Sequence, residues 1–264
     1  MKRAPSVTVA DHTTVECFPD GLLHDRLRLM RMLAVVFGVI VVALVVSTRT
    51  HADTDNGSST MSGSADLVER FLAAGAPPLV TYRARRTLTA STRGGSMTAS
   101  VDAWTSVDAN GKFRYEITSE RGSDLIRRRV LIAALEEERR AWDEHDTSGD
   151  LIPENYIFHV DDDRNGDYLR IRLEPRRKSS MLVDGLVFVT HDDLDIVRLE
   201  GELSKRPSFW TRRVEITRHY ARIGGVRVPI ELQSRADVRM VGASMFSMVY
   251  DYVAVNGKPV PPVD

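Results

Sequence analysis

The segment "VRVPIEL" alternates strictly. Val226, Val228, Ile230 and Leu232 fall on one side, and Arg227, Pro229 and Glu231 on the other. A period of two marks a strand with one dry face and one wet face. The rhythm recurs through the C-terminal half and predicts strands near 155–161, 167–174, 179–183, 186–191, 195–204, 209–222, 226–239 and 244–255. "DRNG", "VDG", "HDDLD", "IGG" and "VGAS" supply turn chemistry between them. Upstream, "LVTYRARRTLTA" sets Val80, Tyr82, Ala84 and Leu88 against Thr81, Arg83, Arg85 and Thr87, and Arg86 breaks the apolar face. "MTASVDAWTSVD" and "KFRYEITSE" continue the meander, with Asn110-Gly111 as a hairpin signal.

The period changes in "SDLIRRRVLIAALEEERRAWDEH". Leu131, Leu135 and Trp142 form one stripe with Val130 and Ala134 beside it, which predicts a long helix over about 124–144. Glu136 is spaced to pair with Arg140. A short helix is expected at 66–74, opened by Asp66 and Glu69 and stopped by Gly75 and Pro77-Pro78. Many consecutive strands joined by tight turns mean an antiparallel meander, either sandwich or barrel; the class is α+β, mainly β.

Residues 32–48 carry no charge, follow Arg26, Arg28 and Arg31, and precede Thr50 and Ala52 at the small positions of a cleavage site. They read as an export signal, with an uncleaved membrane anchor as the alternative. Met30 is an expected true start, because 31 residues are long for the region before the apolar run. The expected organisation is a leader or anchor over 1–52, a flexible linker over 53–64, and one domain over 65–264. The domain is expected in the periplasm, free or tethered to the inner membrane by residues 32–48.

Charge argues against one function class. Residues 208–240 hold seven arginines with Trp210 and Tyr220 among them, as a nucleic-acid surface would. Yet the chain carries 36 Lys and Arg against 37 Asp and Glu, and Arg227, Arg235 and Arg239 share their side of the strand with Glu231 and Asp237. A mixed-charge solvated face is the reading, since phosphate binding needs unbalanced positive charge. "DDDRNGD" matches the start of a calcium loop, but its twelfth position is Arg172. "HDDLD" and "DEHD" read as acidic turns. Cys17 is the single cysteine, so no disulfide framework or thiolate metal site is expected. No nucleophile elbow, phosphate loop or dinucleotide fingerprint occurs. No catalytic residue, metal site or cofactor is assigned; an enzyme with a dispersed acidic site is the third-ranked reading.

The element order, with "RLEGEL", "FWTRRVEITRHY", "GGVRVP" and "YDYVAVNG" in sequence, resembles the LolA-like outer-membrane lipoprotein-sorting superfamily over about residues 66–257. The resemblance implies a curved antiparallel sheet forming a half-open barrel, with the long and the short helix against its concave face. It implies a non-enzymatic carrier that binds the acyl chain of a lipid or lipoprotein in an apolar cavity. The alternative is a membrane-anchored sensor that binds envelope proteins through its convex sheet. Candidates for the cavity lining are Trp104, Tyr115, Ile117, Leu131, Leu135, Ile230, Leu232, Phe246 and Tyr250, each equally a place for ordinary core packing. Carriers of this superfamily hold a lid helix with an arginine; no motif fixes that role on one arginine here.

Overall fold

The computed structural model describes residues 62–74, 76–161, 166–240 and 242–261. The export segment, the proposed start and nearly all of the linker lie outside these residues, as do positions 162–165 of the calcium-loop look-alike. The described chain runs α1 (Ser62–Ala73), β1 (Tyr82–Thr92), β2 (Met97–Val107) and β3 (Phe113–Gly122). A composite helix follows: α2 (Asp124–Ile126), a π segment (Arg127–Ile132) and α3 (Ala133–Glu144). Then come β4 (Tyr156–Asp161), β5 (Leu169–Pro175), β6 (Val183–Val189), β7 (Ile196–Leu203), β8 (Thr211–Ile223), β9 (Val226–Val238), β10 (Gly242–Val255) and β11 (Lys258–Pro259).

All the strands belong to one antiparallel sheet, in the order β3-β2-β1-β10-β9-β8-β7-β6-β5-β4, with β11 added beside β10. β1 pairs with β10 from Tyr82↔Val255 to Ser91↔Met245, so the first and last long strands meet mid-sheet. β3 and β4 are the two edges and do not pair with each other. The sheet is curved and unclosed, the half-open barrel that the resemblance implies. The chain joining its edges carries the composite helix, which buries Ile126, Val130, Leu131, Ala134 and Leu135 in the core. α1 packs beside β4, with the rings of Phe71 and Phe158 5.9 Å apart.

Three local expectations need correction. Strands 179–183 and 186–191 are one strand, β6, because Asp184-Gly185 is not a turn: Gly185 pairs with Gly201 on β7. The long helix is not uniformly α, since its hydrogen bonding widens over Arg127–Ile132. Glu136 binds Arg139 instead of Arg140, which goes to Glu137.

Candidate functional site: the clasp between helix and concave face

Every second residue of β1 points inward: Tyr82, Ala84, Arg86, Leu88, Ala90 and Thr92 are all buried. The alternation that buries Leu88 therefore also buries Arg86, which is only 2% exposed. Register places Ala103 of β2 and Tyr250 of β10 on either side of it. The Arg86 guanidinium lies over three rings, 4.4 Å from Tyr250, 5.5 Å from Phe113 and 5.6 Å from Tyr82. Such contacts stabilise a cation that has left water.

The helix supplies the counter-charge. Glu138 follows Leu131 and Leu135 on the buried stripe and is 7% exposed. Arg86 donates from Nη1 to Glu138 Oε2 at 2.5 Å and from Nη2 to Glu138 Oε1 at 2.9 Å. Nη2 also donates to the Tyr82 hydroxyl at 2.5 Å. This two-pronged bond is the geometry in which Arg and carboxylate bind best. Burial opposes the charge on Arg86, but Glu138 and the neighbouring phenols outweigh it and hold its pKa well above the ordinary value. Burial likewise pushes the phenols of Tyr82, Tyr250 and Tyr252 upward, with Arg86 pulling each back in part. A second, outer contact joins the same elements: Tyr115 of β3 donates to Glu136, and loss of solvent, then Glu136 itself, pushes its phenol up to about 12.

The lining candidates fall in different places. Leu131 and Leu135 are on the helix side of the core, Leu232, Phe246 and Tyr250 on the inward rows of β9 and β10, and all are buried. Tyr115, Ile117 and Ile230 are half-buried against the same core. Trp104 is a correction. It pairs with the exposed Arg85 on the outer face, and the Arg83 guanidinium stacks 4.8 Å over its ring. One step of the period-two pattern separates it from the buried Ala103 and Thr105.

The arginine-rich stretch also needs revision. Arg218 shares the inward side of β8 with Val214, Ile216 and Tyr220, and is 4% exposed. Its guanidinium stacks 5.2 Å from the Tyr220 ring. Arg227 was expected in solvent, yet its Nε donates to the buried Asp195 at 2.6 Å, alongside Arg222 Nε at 2.9 Å. "HDDLD" is thus a turn whose last residue pins the β8–β9 hairpin. Arg213 does lie on the outer surface, between Glu202 and Glu215. An open groove of about 570 Å3 also lies on that outer side, among Thr89, Ser91, Thr98, Ser100, Met245 and Ser247. Among the described residues, no group of three or more His, Cys, Asp or Glu side chains is placed to hold a metal ion.

Tyr156 ties edge strand β4 to β6, since the Val183 N–H donates to its hydroxyl at 3.0 Å. Burial pushes its phenol up to about 12, although the Val183 bond favours the phenolate. Unfolded tyrosines ionise near about 10. Between about pH 10 and 12 the folded chain therefore holds more protons than the unfolded chain, and stability falls as pH rises. We expect urea midpoints to decline across this window. Phenolate absorbance at Tyr156 and Tyr115 should accompany unfolding and not precede it; full ionisation of a still-folded chain near pH 10 would contradict this.

No family model matches the chain, and no curated protein does. Solved structures similar to it include two of low identity. A LolA superfamily protein from Nitrosomonas europaea is 11% identical with a TM-score of 0.40, over 77% of this chain and 96% of that one. A DUF1329 family protein from Desulfovibrio piger is 13% identical with a TM-score of 0.38, over 75% of this chain and 92% of that one. At that distance in sequence and shape, function has to be argued from this chain's own residues.

Proposed function

We propose that the domain is a non-enzymatic binding module that takes an acyl chain, from a lipid or a lipoprotein, between its helix and the concave face of its sheet. One observation carries this reading: the helix closing the half-open barrel is fastened to the sheet by a buried ion pair, Arg86–Glu138. Apart from this pair and two outer contacts at β3, Tyr115–Glu136 and Arg127–Glu120, the interface is apolar and non-directional, through residues such as Val130, Leu131, Ala134 and Leu135. A cover of this kind has one buried polar fastening to break, and what it uncovers is an apolar surface. In this reading Arg86 takes the part of the arginine that holds a lid helix in the carriers the sequence resembles. With the apolar run at 32–48 as export signal or anchor, the place of action is the periplasm and the cargo route is lipoprotein sorting to the outer membrane. Enzymatic chemistry has no part in this reading.

The test is native mass spectrometry for co-purified lipid, together with titration of a fluorescent fatty acid. Saturable uptake is expected, faster in Glu138→Gln, whose neutral amide binds Arg86 less tightly. Protein that is reproducibly empty and takes up no fatty acid would sink the idea. The alternative is an anchored regulatory domain that meets envelope proteins through its convex sheet, and the outer groove beside Met245 favours it. Mass spectrometry of the exported N-terminus separates the two, since a carrier freed after Ala52 begins at Asp53.

A further inference from the structure

Two neighbouring loops at one end of the sheet expose the most accessible large apolar side chains among the described residues. Phe209, between β7 and β8, is 73% exposed, and Met240, after β9, is 88% exposed. The loops are tied together. The Arg239 N–H donates to the Trp210 carbonyl at 2.8 Å, and the Arg239 guanidinium stacks 4.7 Å from the Phe209 ring. Phe209 and the half-buried Trp210 meet edge to face at 5.5 Å. Met240 is held at the turn with a φ of 67°.

The charge around this tip is unbalanced. Lys205, Arg206, Arg212 and Arg239 lie on the two segments that carry it, with Asp237 as their one carboxylate. Among the described residues none of these four cations forms an ion pair, whereas Arg213, Arg222 and Arg227 further along the same strands all do. An apolar protein partner would not need those cations. An anionic bilayer uses both parts, with phosphates at the cations and the acyl boundary at Phe209 and Met240. We propose that the paired loops are a docking tip for anionic phospholipid membranes, with Phe209, Trp210 and Met240 entering the interface. This holds whatever the concave face binds, so failure of one proposal leaves the other standing.

The test reconstitutes the full chain with vesicles of phosphatidylcholine alone or mixed with phosphatidylglycerol, brominated along their acyl chains to quench tryptophan. The apolar run at 32–48 meets both vesicle types, so the charge-dependent difference is the readout. We expect at least twofold stronger quenching in the anionic vesicles, lost at high salt and lost in Trp210→Phe, which leaves Trp104 and Trp142. Phe209→Ser/Met240→Ser and Lys205→Glu/Arg206→Glu should each return quenching to the neutral-vesicle level, with unchanged circular dichroism. Equal quenching in both vesicles overturns the proposal. So does a signal that survives Trp210→Phe, or one that the Phe209 and Met240 changes leave intact.

Discussion

Arg86→Leu should lower the stability of the domain by about 3–5 kcal/mol, because it leaves Glu138 as a buried carboxylate without its cation. The pair lies between two packed layers, with Arg86 at 2% and Glu138 at 7% exposure, so water cannot readily replace the missing partner. Glu138→Leu should cost a similar amount for the mirror-image reason. The double variant Arg86→Leu/Glu138→Leu should recover much of the loss, since two leucines need no desolvated charge and extend the apolar stripe of Leu131 and Leu135. The Tyr82 hydroxyl loses its donor in both Arg86 variants, which limits the recovery. Urea unfolding of the four proteins measures this cycle. Additive single costs would mean that the two groups act independently, and the clasp would be no clasp.

The double variant also separates holding from function. If the ion pair only fastens the helix, two leucines hold it more permanently, because apolar contact has no single bond to break. Fatty-acid uptake should then slow in the double variant while stability is largely restored. In Glu138→Gln uptake should quicken while stability drops. A role in packing alone would move uptake and stability together.

Much of this was legible in the alternation. β7 to β10, the hairpin at Gly224-Gly225 and the long helix lie within two residues of where period and turn chemistry predict them. The clasp was half legible. Arg86 interrupts one apolar face, and Glu138 sits at the helical spacing of Leu131 and Leu135, where a carboxylate needs a partner. Two interruptions of opposite charge on two faces meant for the same core are a pairing signal, although a sequence does not state that the faces meet. Arg218 was legible by parity with Val214 and Ile216, but a run of arginines invites the eye to treat them alike. Trp104 failed for the opposite reason: its size suggests a core, while its parity sends it outside. The Arg227–Asp195 contact could not be read at all, since it joins a hairpin to a turn 32 residues away.

Gly201→Ala should cost about 2–3 kcal/mol or more, the range of forced overpacking, and Gly201→Val more still. Gly185 of β6 and Gly201 of β7 face each other across the ladder. A Cβ built on Gly201 would lie 2.4 Å from the Asp184 carbonyl oxygen and 2.6 Å from Gly185 Cα. One on Gly185 would lie 2.0 Å from the Glu200 carbonyl oxygen and 2.6 Å from Gly201 Cα. These obstacles are backbone atoms, so no rotamer change relieves them, and the strands themselves would have to separate. Neither residue has a left-handed φ; the requirement is close approach between strands, a recognised use of glycine inside a sheet. Gly111→Ala is the control, since its φ of +75° strains a side chain while nothing lies within 4 Å. It should cost only about 1–2 kcal/mol. The row between Leu199 and Leu203 faces the core, so spreading β6 from β7 there would also change the curvature on which the concave face depends. Urea midpoints for the three glycine variants decide the matter: Gly201→Ala unfolding within about 0.5 kcal/mol of the parent would show that the sheet at this row does not need its two bare backbones.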